Sequence, residues 1–196
     1  REFMWYNCKC KRKINSNLKV WYIMKNTIIK SILAVILGLV IGIFSKWGDV
    51  MSGDNVISYF GLISTGLVIW LAIGTLLILK SKNRKEFSII YSLFMISMLI
   101  SYYLFSATVV KYLYTRIIIF WIVIFIVALI LGNIIFSKRH TRLFRLLFVL
   151  ASIIFLIYDA IEINGIQLQV VIPELLLSIL VLITINKSIK NNNKSE

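Results

Sequence analysis

Six long apolar runs, separated by short charged stretches, leave this chain few ways to fold. They cover residues 28–46, 56–80, 87–107, 116–136, 143–161 and 168–186. Each is close to the roughly 20 residues that a helix needs to cross about 30 Å of hydrocarbon. Backbone inside a bilayer must satisfy its own hydrogen bonds, so a span is either a helix or a strand of a closed barrel. Barrel strands alternate apolar and polar residues, and these runs do not. The expected fold is therefore all-α: a polytopic membrane helix bundle with six transmembrane helices. Composition agrees, since 60% of the residues are hydrophobic against about 45–50% in a soluble domain.

The runs also set the organisation. Residues 1–27 form a basic N-terminal segment, 28–186 the membrane domain and 187–196 a polar tail. Met4 and Met24 are both candidate starts. Met24 leads into Lys25-Asn26-Thr27-Ile28-Ile29-Lys30, the kind of short basic lead seen in bacterial membrane proteins. Residues 1–23 are then expected to lie upstream of the native start, and no function is read from them. The first run ends Phe44-Ser45-Lys46-Trp47, without the small-x-small pattern of a cleaved signal peptide.

Charge fixes an orientation. Of the 22 basic residues, 19 lie before or just inside the first run, in the loops near 83 and 140, or in the tail. The alternate side holds three, Lys46, Lys111 and Arg116. The positive-inside rule then places both termini in the cytoplasm, an N-in/C-in topology. Acidic residues lean the other way, with Asp49, Asp54, Asp159, Glu162 and Glu174 all mapping to the outer side. A net charge of +14 does not imply a nucleic-acid partner, because it sits in short patches between spans. The expected partner is the lipid bilayer.

Cys8 and Cys10 are the only cysteines and His140 is the only histidine. Neither a disulfide framework nor a metal site is expected from that set, and no cofactor is implied.

Two constellations stand out. On the first helix Ser31, Ala34, Gly38, Gly42 and Ser45 share one face, at steps of three and four residues. Small residues let a second helix approach closely. That helix belongs either to the same chain or to a membrane partner or second copy. The other constellation is polar and aromatic, at the outer helix ends: Lys46, Asp49, Tyr102, Tyr103, Arg116, Asp159 and Glu174, with Asp54, Tyr59, Lys111, Tyr112, Tyr114, Glu162, Gln167 and Gln169 nearby. These groups either line an outward-facing vestibule for a small polar solute or form the aromatic belt usual at a membrane surface. Glu174 is the sharpest of them, because it follows Pro173 inside the sixth run. An intramembrane carboxylate is costly unless paired, protonated or wetted. Lys46 and Arg116 are the expected partners at similar depth; the other reading makes Glu174 interfacial.

Catalytic patterns fail. Gly61-Leu62-Ile63-Ser64-Thr65-Gly66 loosely resembles an intramembrane serine site but lacks a nearby base, His140 lying at the opposite helix ends. Gly48-Asp49 and Tyr158-Asp159 resemble aspartyl-protease motifs but sit at helix ends in the reverse order. No catalytic residues are expected, and an intramembrane enzyme ranks third.

Several of these residues resemble a family. Gly38-x-x-x-Gly42-x-x-x-Lys46-x-x-Asp49, Tyr59-Phe60-Gly61, Ser81-Lys82, Met98-x-x-Ser101-Tyr102-Tyr103-Leu104, and Arg116 with Phe120-Trp121 are similar to small multi-span membrane proteins of low-GC Gram-positive bacteria. The similarity covers roughly residues 30–135. It implies a bacterial cytoplasmic membrane and brings no activity with it. In architecture the chain also resembles the substrate-binding subunits of energy-coupling-factor vitamin transporters, whose Ala-x-x-x-Ala signature it lacks. The leading expectation is binding or transport of a small polar solute through an outward-facing site. The rival is a structural, regulatory or immunity-type membrane protein.

Overall fold

A computed structural model describes residues 27–50, 59, 61, 63–64, 66–111, 115–163 and 168–192, with the side chains of 162–163 and 168–169 excepted. Cys8, Cys10, Asp54, Tyr112, Tyr114 and Gln167, and the side chains of Glu162 and Gln169, lie outside the described residues. What is described is all-helical, without a strand. Six helices follow one another: α1 Thr27–Val50, α2 Leu67–Lys80, α3 Arg84–Phe105, α4 Thr115–Ile135, α5 Arg142–Tyr158 and α6 Leu168–Asn192. A π-helical turn continues α3 through Ser106–Val110, and another continues α5 through Asp159–Ile163. Five of the helices are long and apolar enough to cross a membrane.

The exception is α2. The run expected over 56–80 lies partly outside the described residues; 59, 61, 63 and 64 are helical, Gly66 is a bend, and the continuous helix from Leu67 has 14 residues, a rise of about 21 Å. Its sequence explains why it tolerates this length. LVIWLAIGTLLILK is apolar on every side, which suits a helix surrounded by protein rather than a surface one. It contacts α3, α4, α5 and α6 directly, and an apolar cleft joins it to α1 through Leu33, Leu37, Ile73 and Leu77. Val68, Trp70, Ala72, Thr75 and Ile78 are buried.

Small residues set the helix spacings. Gly38 and Gly42 face α3, and a methyl group at either would collide with Ser97 Oγ or Ser101 Oγ and with the carbonyl of Phe94 or Met98. The stripe on α1 is thus filled by a matching small-residue stripe within the same chain. Ala34 and Ser45 are buried along the same face and Ser31 is half-buried. On α4 only Gly132 is buried, and it seats the Phe87 ring of α3. An aromatic seam continues this contact, with Phe87 stacked on Tyr91 and touching Phe136, Tyr91 against Phe125, and Trp70 against Phe94 and Trp121. Isoleucine, leucine and valine cover the outward faces of α1, α4 and α5, as a lipid-facing surface requires.

Successive helices alternate in direction, so one end of the bundle is basic and the other acidic. At the basic end several charged groups are locked together. Glu86 is 4% exposed. It pairs with Lys30 Nζ at 2.8 Å and accepts the Lys82 N–H at 2.7 Å, while its own N–H is capped by Asn83 Oδ1 at 2.8 Å. Arg139 lies 4.0 Å above the Phe136 ring, and its Nε donates to His140 Nε2 at 2.8 Å. His140 Nδ1 meets Ser188 Oγ at 2.8 Å and Arg145 donates to Asn186 at 3.1 Å, which ties α5 to α6. Burial and the Arg139 charge push the imidazole below its ordinary range.

Candidate functional site

The structure divides the seven outer-end residues into two centres and an outlier. The first centre grows out of the α1–α3 contact. Because Gly42 brings the backbones together at Ser101 and Met98, the next turn of α1 lays Lys46 against Tyr102. Lys46 Nζ stands 5.0 Å from the Tyr102 ring centroid and 3.5 Å from its hydroxyl. Tyr102 donates to Asp49 Oδ2 at 2.5 Å, and Lys46 reaches the same oxygen at 3.7 Å. Tyr103 packs edge-on against Tyr102, with its hydroxyl buried and without a partner among the described residues. Lysine, aspartate and tyrosine therefore satisfy one another. The cavity beside them, bounded by Ser45, Ser64, Tyr102 and Tyr103, is about 20 Å³, room for a single water.

The second centre lies at the start of α2. Gly66 precedes that helix and, with no side chain, cannot cap it. Asp159 does so from α5: its Oδ2 accepts the N–H of Leu67 at 2.8 Å and of Val68 at 3.4 Å. A carboxylate there satisfies two orphan amides and meets the positive end of the helix dipole. Glu174 comes in from α6, one residue after Pro173. A methyl group on Gly66 would collide with Glu174 Oε1 and stand 2.9 Å from Asp159 Oδ2. The two carboxylates thus converge on one point, and only glycine leaves them room. Both residues are 1% exposed. Both Glu174 oxygens and Asp159 Oδ1 have no hydrogen-bond partner among the described residues.

Of the two readings left open for Glu174, the structure has the side chain buried within the bundle, but with neither expected partner. Lys46, one expected partner, is held by Asp49 and Tyr102 instead. Arg116, the other, is exposed on the first turn of α4 and makes no ion pair with the described residues. The neighbour that Glu174 has is a second acid. Sequence reasoning missed Gly66 and the α2 amides. Their signal was the second glycine of Gly61–Gly66, immediately before the apolar, charge-free stretch that begins at Leu67.

Trp70 Nε1 donates to the Ser64 carbonyl at 3.0 Å and Ser64 Oγ to the Gly61 carbonyl at 2.8 Å, so Ser64 braces the approach to α2 and has no base beside it. No group of three or more metal-ligating side chains occurs among the described residues. Below Leu67 an apolar cavity of about 260 Å³ opens between α4 and α5, lined by Trp70, Tyr91, Ala128, Phe148 and Phe155.

Comparison with protein-family models, characterised proteins and solved structures returns no match for this chain, so function is argued from the residues themselves.

Proposed function

We propose that the protein is a six-span, N-in/C-in protein of a bacterial cytoplasmic membrane that binds or moves a small polar solute through an outward-facing site. The observation that carries this reading is the convergence of Asp159 and Glu174, buried and incompletely partnered, at the start of α2. Ionisable side chains inside a membrane are expensive and mark substrate or ion pathways. A short helix that begins within the bundle, with its amides aimed at the site, is the arrangement that transporters use at their binding sites. Two carboxylates favour a solute with a positively charged group. Lys46, Asp49, Tyr102 and Tyr103 form the rim of the same end, and Arg116 lies at its lipid-facing edge. The five helices long and apolar enough to cross a membrane support the membrane assignment.

The test is thermal stabilisation of the purified full chain by a panel of small solutes: amines, amino acids, vitamins and inorganic ions. Saturation at about 100 times Kd stabilises a protein by about 2.7 kcal/mol. A cationic solute is expected to raise Tm in the wild type and to have no effect in Glu174→Gln. If no solute moves Tm, the structural or regulatory reading takes over. That reading has its own support in the closed Lys46–Asp49–Tyr102 group, which behaves as a satisfied interfacial cluster with no space for a solute.

A further inference from the structure

We infer that Asp159 and Glu174 hold one proton between them, which makes the start of α2 a proton-binding site inside the membrane. The argument rests on what each oxygen faces. Asp159 Oδ2 is satisfied by the amides of Leu67 and Val68, which fixes Asp159 as the ionised partner. Its other oxygen, Oδ1, is buried without a donor among the described residues, and so are both oxygens of Glu174. Glu174 is the decisive observation: a side chain 1% exposed, unpartnered, with Oε1 aimed at the capped helix start.

Among the described residues no cation pairs with either acid, and what Asp159 meets is the pair of α2 amides. From α1 and α3 the nearest ionisable groups, Lys46, Asp49 and Tyr102, are engaged with one another. α2 contributes amides and no ionisable side chain up to Lys80 at its far end. Two carboxylates this close cannot both ionise in an apolar surround. A proton on Glu174 removes one charge and supplies a donor to the pair, as in other sites where two carboxylates share one proton. A metal ion would need a fuller oxygen shell than these side chains supply.

The inference rests on the solute-site reading for its physiological role. Arrival of a cationic solute at the pair would release the proton to the outer aqueous phase, and its departure would take one back. The proton site itself is tested without any solute. Infrared spectra of the purified full chain at neutral pH should show the C=O stretch of a protonated carboxyl group that shifts in D2O. That band should be absent in Glu174→Gln. In Asp159→Asn it should persist and titrate at lower pH than in the wild type, because the like-charge neighbour is gone. Far-ultraviolet circular dichroism and elution volume confirm that each variant is folded, and either variant alone decides the matter. A wild-type spectrum without the band, or one unchanged by Glu174→Gln, overturns the assignment. A band that behaves as expected in a protein that no solute stabilises keeps the proton site and removes the transport reading.

Discussion

Glycines 66 and 74 lie eight residues apart on one short segment, yet adding a methyl group to each should have opposite effects. At Gly66 the methyl collides with Glu174 Oε1 and crowds Asp159, so Gly66→Ala should destabilise by about 1–3 kcal/mol, the usual cost of overpacking. At Gly74 the nearest atom is Tyr91 Cε2 at 3.7 Å, so Gly74→Ala should stabilise by up to about 1 kcal/mol through helix propensity. Thermal melts of the two variants in one detergent check the pair; equal effects would count against the carboxylates facing Gly66. His140 carries a second residue-scale prediction. Its Nε2 accepts from Arg139, so the folded protein prefers the neutral ring, and its pKa is lowered by burial and by the Arg139 charge. The unfolded chain then binds more protons just below about pH 6.5, so stability falls as pH drops through that value and levels off once the folded ring also titrates. His140→Gln should show a shallower acid slope of Tm than the wild type. Glu174 itself was legible as an oddity, because a carboxylate inside an apolar run is visible in any sequence. Its partner was not. Opposite charges are the obvious companions, whereas the fold brought a like charge, held in place by amides that have no letter of their own.

Helices were readable to the extent that their signals are local. Each apolar run became a helix, and the Gly38–Gly42 stripe correctly announced a close contact. The stripe alone did not say whose helix would fill it. Ser97 and Ser101, at the matching spacing on α3, hold that information, and it is visible only once both stripes are paired. The consequence is testable by a double-mutant cycle. Gly42→Ala should destabilise by about 1–3 kcal/mol, and Ser101→Gly should rescue it only in part, because the carbonyl of Met98 still opposes the new methyl group. Full rescue would mean that the two backbones are not in contact. The ends of helices were less readable. The π turns at 106–110 and 159–163 have no hydropathy signal in the runs they continue, and such turns gather at functional positions. Within the second run, hydropathy did not announce the bend at Gly66 that starts α2 afresh at Leu67, because it reports burial and not whether the buried backbone is one continuous helix.

Orientation belongs to the whole molecule, and two independent features bear on it. One is the distribution of charge, with 19 of 22 basic residues assigned to alternate segments. The other is the antiparallel order of six helices, which gathers Lys30, Glu86, Arg139, His140, Ser188 and Asn186 at one end and Lys46, Asp49, Tyr102, Asp159 and Glu174 towards the other. An even number of spans puts both termini on one side. Under the proposed six-span topology the positive-inside rule makes that side the cytoplasm and puts the carboxylate pair nearer the outer face. The two sides can be told apart by labelling single cysteines in intact cells, in a chain lacking Cys8 and Cys10. Asp54→Cys reports the expected outer side. Asn83 is a poor choice for the inner side, since its side chain caps α3 through the Glu86 N–H and its loss would cost about 1 kcal/mol. Lys85→Cys, exposed and without a bond to lose, serves instead. A membrane-impermeant thiol reagent should label position 54 and spare position 85 until the cells are opened. Labelling of position 85 in sealed cells would invert the bundle, face the carboxylates towards the cytoplasm, and overturn the outward-facing site of the proposed function.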